Sequence, residues 1–310
     1  MAFRALVVGG TNGIGYAMAC RVAAEASTSN SNSNNNNSSP SAVIISGRTK
    51  PTNIPHANME FRRLDATSMH QIKQYTDTFK SGLQDKPDQK LDLLIMTQGI
   101  MNTAGRTETP EGVDRKMALH YYGKQLLIRE LMPALKEDAK VVVVFDSVYG
   151  RPSKLDWNDL DLKKHFSLSK AANHCMVMND VMVQFYAAQQ QQQQQQTTST
   201  TATPNRRHFV HAWPGAVDTN LFTELPWYLQ PVLRLAALLL AVSPDTCAER
   251  LLNGLADCST AGNKDGRFWS HMDNKGHLVA NKTIWSEDQM KKVADHTWAI
   301  VDGAIAQGSS

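Results

Sequence analysis

This sequence has few cysteines, no long apolar run and no excess of charge of one sign. Its four cysteines form no C-x-x-C pair, which predicts reduced thiols in a cytoplasmic protein and no metal site. The longest apolar run, Leu235–Val242, is too short to cross a bilayer. The net charge of +3 is scattered along the chain, so neither a nucleic acid nor an anionic membrane surface is predicted as a partner.

What remains is the composition of a folded globular protein. Apolar residues make up 42% and charged residues 20% of the 310 residues, enough for one large domain. The chain opens with an apolar strand pattern, Phe3–Val8, and not with a signal-peptide pattern. Two low-complexity stretches, the Ser/Asn-rich residues 27–41 and the Gln/Thr-rich residues 189–204, are predicted to be insertions in surface loops, the first of them disordered.

Strand patterns alternate with helix patterns through most of the chain. Six strands are predicted: Phe3–Val8, Ala42–Arg48, Met59–Leu64, Leu91–Met96, Val141–Phe145 and Phe209–Ala212. Helices are predicted over Gly15–Ala26, Ser68–Gly82, Gly112–Leu135 and Phe166–Ala188, and a last strand and helix between Phe268 and Trp298. This order predicts a single α/β domain with a doubly wound parallel sheet, whose ligands bind at the carboxyl ends of the strands.

The turn after the first strand contains several glycines. Gly9 permits a tight turn, Gly13 lets the backbone approach a pyrophosphate, and Gly15 lets the following helix pack on the strand. The helix offers free N–H groups and the positive end of its dipole to phosphates. The turn therefore predicts a dinucleotide site. The residues between the glycines belong to the same predicted site: Thr11, Asn12 and Ile14.

The end of the second strand predicts which dinucleotide binds. NAD-binding proteins place an acidic residue about 20 residues after the glycines, where it holds the ribose 2′-hydroxyl. Here the strand ends in Ser46-Gly47-Arg48, without an acid. A guanidinium at this place suits a 2′-phosphate through charge-assisted, bidentate contacts, so Arg48 predicts NADP(H) as the cofactor.

These motifs, in this order, resemble the short-chain dehydrogenase/reductase family, which has a Rossmann fold. The family signature T-G-x-x-x-G-x-G corresponds to Val8–Gly15, with Val8 at the threonine position, and P-G-x-V-x-T corresponds to Pro214–Thr219. The likeness is to fungal members and to retinol-dehydrogenase-like members. It implies contacts to the adenine, to the adenosine ribose and to the nicotinamide carboxamide, made in turn by Asp65, by Gly99 of Thr97-Gln98-Gly99, and by Val217 with Thr219.

The same resemblance implies a catalytic serine, tyrosine and lysine. Ser147 closes the fifth strand and matches the serine that hydrogen-bonds the substrate oxygen. Lys170 matches the lysine, which also holds the cofactor ribose. Phe166 occupies the tyrosine position, and because it has no hydroxyl it cannot be the general acid. His120 stands where the family carries an asparagine of its proton relay.

The missing hydroxyl leaves three alternatives open. Another group can donate the proton, and the candidates are His165, His120, Tyr149 and Tyr122. Tyr149 lies two residues after Ser147 and is expected to face the same crevice. In the second alternative water donates the proton and turnover is slow. In the third, the protein binds NADP(H) without turnover, as a sensor or scaffold.

Residues 220–243 are rich in leucine and aromatic residues, which predicts a lid over an apolar substrate. A helix lying on a membrane surface, core packing and a dimer contact are the alternatives. The sequence thus predicts an NADP(H)-dependent oxidoreductase that interconverts a ketone or aldehyde and an alcohol on a small lipophilic or aromatic substrate, in fungal secondary metabolism. The family resemblance implies a homodimer or homotetramer through the two long helices.

Overall fold

The structure is a computed structural model that describes residues 3–31, 41–83, 89–196, 206–219, 241–264 and 266–307. Within these ranges seven parallel strands form one sheet in the order β3-β2-β1-β4-β5-β6-β7. The strands are β1 Arg4–Val8, β2 Ala42–Gly47, β3 Met59–Arg63, β4 Leu91–Met96, β5 Leu135–Val144, β6 His208–Ala212 and β7 Trp269–Met272. The predicted doubly wound parallel sheet is confirmed, and its strand order reverses between β1 and β4.

Helices cover both faces of the sheet. They are α1 Gly13–Ser31, α2 Met69–Ser81, α3 Arg115–Met117, α4 Gly123–Leu131, α5 Leu168–Gln196, α6 Pro244–Lys264 and α7 Glu287–Gln307. Alternate side chains of β1 point to opposite faces of the sheet. Ala5 and Val7 belong to the core with α1 and α6. Leu6 and Val8 belong to the core with α2, α4, α5 and α7. In the described part of the chain, no helix combines the length and apolarity that crossing a bilayer would need.

The start of α2 shows how a polar residue ends a loop and begins a helix. The hydroxyl of Ser68 accepts the N–H of Gln71 at 3.1 Å, as an N-cap does. The buried carboxylate of Glu111 accepts the N–H groups of Met69 at 2.7 Å and of His70 at 3.0 Å. A negative charge at this end also complements the helix dipole. The predicted helix start at Ser68 is confirmed to within one residue.

The helix predicted over Gly112–Leu135 is interrupted in the structure. A π-helical turn, Ala118–Tyr122, separates α3 from α4, and β5 begins at Leu135 and not at Val141. In this turn the carbonyl of His120 accepts a hydrogen bond from Nδ2 of Asn179 in α5 at 3.0 Å. Pro133 cannot donate a backbone hydrogen bond, so α4 ends just before it. Hydrophobic periodicity does not reveal such a tertiary contact, and the single-helix prediction was wrong for this reason.

Both low-complexity stretches begin inside helices and not in loops. Helix α1 continues to Ser31 and α5 to Gln196, so the first residues of each stretch are helical. In α5 the side chain of Gln190 is buried, and its amide exchanges hydrogen bonds with the backbone N–H and carbonyl of Arg207. Glutamine is also a good helix former, so a packed helix propagates into the tract. Residues 32–40 and 197–205 lie outside the described residues.

The predicted strand and helix near the C-terminal end are confirmed as β7 and α7. Helix α7 packs on α2 and α5 and contacts the π-helical turn and α4. The hydroxyls of Tyr121 and Thr297 are 2.6 Å apart, and Arg129 lies 2.7 Å from Asp302. Part of the surface that the resemblance assigned to subunit contacts is therefore covered from within the chain, while the predicted homodimer or homotetramer stays a prediction.

Candidate active site

The carboxyl ends of the strands lie at one edge of the sheet. Val8 of β1 pairs with Ser46 of β2 and Met96 of β4, and Ala212 of β6 pairs with Val144 of β5. Gly9, Arg48, Asp65, Gly99 and Ser147 follow closely after strand ends in the sequence, whereas His165, Phe166 and Lys170 lie just before or at the start of α5. The residues that follow strand ends therefore lie along this edge of the sheet, where ligand sites of this topology are found.

Gly9 and Gly15, in the turn after β1, have no room for a side chain. Gly9 has a φ of +81°, and a Cβ there would lie 2.5 Å from Oγ1 of Thr97. A Cβ on Gly15 would collide with the same oxygen and with the backbone carbonyl of Gly9. The hydroxyl of Thr97 donates to that carbonyl at 3.2 Å, which ties the end of β4 to the turn. The result is a cradle of bare backbone at the N-terminus of α1.

The first turn of α1 faces this cradle. Oδ1 of Asn12 accepts the N–H of Gly13 at 2.7 Å, whereas the next amides, those of Ile14 and Gly15, have no acceptor inside a helix that starts here. Thr219 lies on the other side of the turn, with its Cγ2 3.2 Å from the place of a Cβ on Gly13. The predicted phosphate and nicotinamide segments are thus neighbours.

Arg48 follows β2 and is exposed to solvent. The glycine turn touches the end of this strand, because Oγ1 of Thr11 would lie 2.7 Å from a Cβ on Gly47. Among the described residues Arg48 has no ion-pair partner, and β2 itself carries no acid. Arg48 therefore follows directly on the strand end that contacts the glycine turn, and its side chain is exposed.

Two further polar residues follow β3 and β4, the strands that lie on either side of the β2–β1 pair in the sheet. Oδ1 of Asp65 is held by the N–H and the hydroxyl of Thr67, at 3.0 and 2.7 Å. Gln98 is 8% exposed, and within the described ranges neither atom of its side-chain amide has a hydrogen-bond partner. A buried, unpaired amide is costly, so a ligand with hydroxyl groups fits beside it. Sequence reasoning missed Gln98, since it departs from the family's Asn-Ala-Gly pattern.

The bare cradle, the free helix amides and the unpaired amide of Gln98 together fit the phosphates and the adenosine ribose of a nicotinamide dinucleotide. Gly99, predicted to lie by that ribose, is covered by His120, whose Nε2 is 3.3 Å from the place of a Cβ on Gly99. Val217 is buried and pairs with Val242 in an isolated bridge.

Ser147 lies after β5 as predicted, but it is fully buried. Its hydroxyl donates to the backbone carbonyl of Met272 in β7 at 2.7 Å. Its own carbonyl accepts a hydrogen bond from Nζ of Lys282, also at 2.7 Å. Donation to a substrate oxygen therefore requires the Ser147 hydroxyl to turn away from Met272.

Phe166 and Lys170 stand at the start of α5. Phe166 is partly buried, and Nζ of Lys116 lies 5.7 Å from the centre of its ring. Lys116 is itself buried and donates to the carbonyl of Gly105, so a cation neighbours the ring that replaces the expected tyrosine. Lys170 is exposed in the first turn of α5, and its N–H is capped by the hydroxyl of Ser167. The sequence held no signal for the position of Lys116.

Two of the candidate proton donors are exposed. Tyr149 is 60% exposed, and its ring meets that of Trp213 edge-to-face, with 4.9 Å between the ring centres. Trp213 directly follows β6, so this aromatic pair lies at the carboxyl edge of the sheet beside Ser147. His165 is exposed before α5, with Nδ1 3.5 Å from a carboxylate oxygen of Asp159.

The other two candidates are enclosed. Nε2 of His120 accepts the N–H of Ile100 at 3.0 Å, and burial, with the nearby charge of Lys124, lowers the pKa of His120 to about 3. Burial raises the pKa of Tyr122 well above its ordinary value, and its hydroxyl pairs with Nε2 of His296 at 3.2 Å. His120 is therefore neutral at physiological pH, and the hydroxyl of Tyr122 is hydrogen-bonded to a residue of α7. The catalytic roles assigned to all these residues stay predictions.

Most of the predicted lid, residues 220–240, lies outside the described residues. The described end of that segment runs into α6, which the sequence analysis did not predict. No alternative for the lid is decided by the described part of the chain.

A family model described as short chain dehydrogenase matches residues 4–179. The chain belongs to the short-chain dehydrogenase family. The match begins with β1 and the glycine cradle and ends in α5, so it includes Ser147 and Lys170. This is a family of oxidoreductases, and the predicted resemblance is confirmed.

Similar curated proteins are named oxidoreductases or dehydrogenases. An oxidoreductase of the fungus Emericella nidulans is 31% identical over 71% of this chain, and an oxidoreductase of Emericella variicolor is 23% identical over 71%. The matches span 60% and 59% of those proteins' own lengths. The human polyprenol dehydrogenase is 27% identical over 94% of this chain and 86% of its own length.

Solved structures of short-chain dehydrogenases share the fold. The NADPH-bound carbonyl reductase from chicken fatty liver matches with a TM-score of 0.57 and 17% identity, over 90% of this chain and 99% of that one. A short-chain dehydrogenase family protein from Francisella tularensis matches with a TM-score of 0.54 and 16% identity, over 88% and 98%. At such identities the likeness establishes the fold alone.

Proposed function

We propose that this protein is an NADP(H)-dependent oxidoreductase that interconverts a ketone or aldehyde and an alcohol on a small, lipophilic or aromatic substrate. The single observation that carries the proposal is the bare glycine cradle with exposed Arg48 beside it. The NADPH-bound state of the chicken carbonyl reductase supports the choice of cofactor by analogy only. We further propose a cytoplasmic role in fungal secondary metabolism, supported by the Emericella relatives.

The cofactor preference rests on charge. A 2′-phosphate on the adenosine ribose would lie by the end of β2, where Arg48 offers a fork of N–H donors and no acid opposes it. Asp65, the carboxylate that follows β3, is engaged by Thr67. NADPH is therefore expected to bind more tightly than NADH.

Replacing Arg48 by alanine tests this preference. Loss of a charge-assisted contact to phosphate is expected to weaken NADPH binding roughly 10- to 100-fold. NADH is the matched control, since it lacks the 2′-phosphate, and its affinity is expected to stay unchanged. Titration of both cofactors by fluorescence or calorimetry measures the two effects, and equal losses for both would sink the phosphate assignment.

The substrate class rests on the aromatic pair at the catalytic end. Tyr149 and Trp213 present ring surface at the strand ends next to Ser147. Aromatic side chains of this kind line sites for apolar ligands, and the phenol adds one polar group that fixes orientation. A lipophilic or aromatic carbonyl compound fits this wall better than a sugar or a charged acid.

The chemistry is divided between cofactor and chain. When bound, the reduced cofactor supplies the hydride for the carbonyl carbon. The Ser147 hydroxyl, turned from Met272 toward the crevice, would hydrogen-bond the carbonyl oxygen. The Tyr149 hydroxyl, exposed two residues further on, would give its proton to that oxygen and regain one from water.

A panel of aromatic and lipophilic ketones tests the activity through NADPH oxidation. Wild-type protein is expected to turn over at least one of them, and Ser147→Ala and Tyr149→Phe are expected to lower kcat roughly 100-fold each. Ser153→Ala, an exposed serine on the same connection, is the matched control. Wild-type turnover in both variants would contradict the roles assigned to Ser147 and Tyr149. If the wild type binds NADPH but turns over no ketone, the protein binds the cofactor without acting as this enzyme.

A further inference from the structure

A buried cluster of charged and ionisable side chains lies directly behind Ser147. It consists of Asp180 from α5, His211 from β6, His271 from β7 and Lys282 from the segment between β7 and α7. Asp180, His211 and His271 are almost completely buried, and the Lys282 side chain is 13% exposed. The cofactor site described above uses none of these four residues.

The cluster is centred on the carboxylate of Asp180. Its Oδ1 lies 2.6 Å from Nδ1 of His211 and 2.8 Å from Nε2 of His271. Its Oδ2 lies 2.7 Å from Nζ of Lys282. Burial alone would raise the pKa of this carboxyl, but the two histidines hold it well below its ordinary value. Asp180 is therefore an anion inside the protein, and a buried anion requires a close cation.

Lys282 supplies that cation. An Asp and two His in this arrangement can also hold a metal ion. Here, however, the ammonium group of Lys282 already lies 2.7 Å from the carboxylate, and a cation at that distance would repel a metal ion. The distances are those of a charge-assisted network in which Lys282 balances Asp180.

The same ammonium contacts the predicted catalytic serine. Nζ of Lys282 donates to the backbone carbonyl of Ser147 at 2.7 Å. The Ser147 hydroxyl in turn donates to the carbonyl of Met272, the neighbour of His271 in β7. The carbonyl of Ser147 is thus held by the cluster, and its hydroxyl by β7, the strand that contributes His271.

We propose that Lys282, held in place by Asp180, is a positioning residue that fixes the backbone at Ser147 and so sets where the serine hydroxyl meets the substrate. This inference rests on the proposed oxidoreductase function. Without the ammonium, the carbonyl of Ser147 and Oδ2 of Asp180 would both lose the buried partner that Lys282 provides. The end of β5 would then relax, and a small displacement of a catalytic group is enough to slow a reaction strongly.

The test compares Lys282→Met with Lys282→Arg. Lys282→Met is expected to lower kcat roughly 10- to 100-fold while the Kd for NADPH stays within about twofold, because the glycine cradle is distant in the sheet. Lys282→Arg keeps the charge and is expected to recover part of kcat. Lys275→Met removes an exposed lysine of the same segment and is the matched control.

Hydrogen–deuterium exchange provides a readout that does not depend on turnover. Lys282→Met is expected to speed exchange in the peptide covering residues 145–150 and to leave the residues of β1 and α1 protected as in wild type. If the ketone panel shows no activity at all, this local change still supports the positioning role while the proposed function fails. Wild-type exchange at 145–150 in Lys282→Met would overturn the inference, as would an unchanged kcat.

If Lys282→Met does not fold, Asp180→Asn replaces it, since the amide keeps the shape and removes the charge. It is expected to lower kcat and to speed exchange at residues 145–150 in the same way. Full activity of Asp180→Asn with wild-type exchange would overturn the inference. Added Zn²⁺ is expected to leave melting temperature and kcat of the wild type unchanged, and a clear stabilisation by the metal would show a metal site in place of the ion pair.

Discussion

The two ends of the crevice are built in different ways. At the β1–β2 end, the site consists of backbone: glycines without room for a side chain, helix amides and one exposed arginine. At the β5–β7 end it consists of side chains from distant segments, and several of these are buried charges, such as Lys124 and Asp180. Binding of phosphates needs only free backbone, whereas positioning of a reactive group needs contacts between segments far apart in the sequence.

The two ends also differ in how closely they follow the family. The cradle keeps every glycine of the family signature. The catalytic end has Phe166 at the tyrosine position and His120 at the asparagine position, and its serine hydroxyl faces inward. Departures of this kind concentrate where function puts a demand on local structure.

The largest effect is expected for Gly15→Ala. The added Cβ would collide with the hydroxyl of Thr97 and with the carbonyl of Gly9, and the backbone carbonyl cannot move aside without opening the turn. We expect NADPH affinity to fall at least roughly 100-fold, measured by fluorescence titration. Gly303→Ala is the control, because nothing lies within 4 Å of its added Cβ and the helix should gain about 0.5–1 kcal/mol. An unchanged NADPH affinity of Gly15→Ala would show that the phosphates of the cofactor bind elsewhere.

The next largest effect is expected for Phe166→Tyr. Because Tyr149 is the proposed proton donor, the change is made in the Tyr149→Phe background, where a hydroxyl at position 166 should raise kcat for a ketone roughly 100-fold, the size of one general acid. Phe166→Leu, which changes the packing without adding a hydroxyl, should give no gain. Steady-state NADPH oxidation measures both. An unchanged kcat on adding Phe166→Tyr to Tyr149→Phe would contradict the expectation that a hydroxyl at position 166 reaches the reacting oxygen.

A third prediction concerns the stability of the catalytic end. Lys124 is fully buried and donates to the carbonyl of Val144 at 2.7 Å, and burial lowers its pKa to about 7. Lys124→Met should stabilise the fold at pH 7 by roughly 1–3 kcal/mol, because it removes a buried charge but also leaves one carbonyl unpaired. Denaturant unfolding measures the difference.

The pH dependence of that difference follows from linkage. Between the folded pKa of about 7 and the ordinary value of 10.5, the unfolded chain binds a proton at Lys124 that the folded chain does not. The stability of the wild type relative to Lys124→Met should therefore rise with pH over this range. The advantage of the methionine should be full at pH 7 and below and should shrink toward pH 10.5. A constant difference would contradict a depressed pKa.

The smallest effect is expected at the contact between α7 and the π-helical turn. Thr297 donates to the carbonyl of Val293 and accepts the hydroxyl of Tyr121. Thr297→Val keeps the shape but leaves the buried Tyr121 hydroxyl unpaired, which should cost about 1 kcal/mol of unfolding free energy. Tyr121→Phe in the same chain should recover most of the loss. Equal stability of all variants would mean that α7 is not held through this pair.

The sequence predicted the sheet well because apolar runs ended by small residues are local features. It placed β4 at its observed bounds and the strand ends that carry Gly9, Arg48 and Ser147 to within a few residues. It failed for the helix after β4, where Asn179 holds the carbonyl of His120, and for the glutamine tract, where packing of Gln190 extends α5. In each failure a contact from another segment outweighed the local pattern.

The sequence by itself determined the family, the doubly wound sheet and the glycine cradle, because each of these depends on spacing along the chain. Only the tertiary structure decided the surroundings of the reactive residues: the inward hydroxyl of Ser147, the lysine beside Phe166 and the cluster of Asp180 and Lys282. These contacts join residues separated by 50 to more than 100 positions. No periodicity encodes them, since they arise where the strands and the segments between them converge at the edge of the sheet.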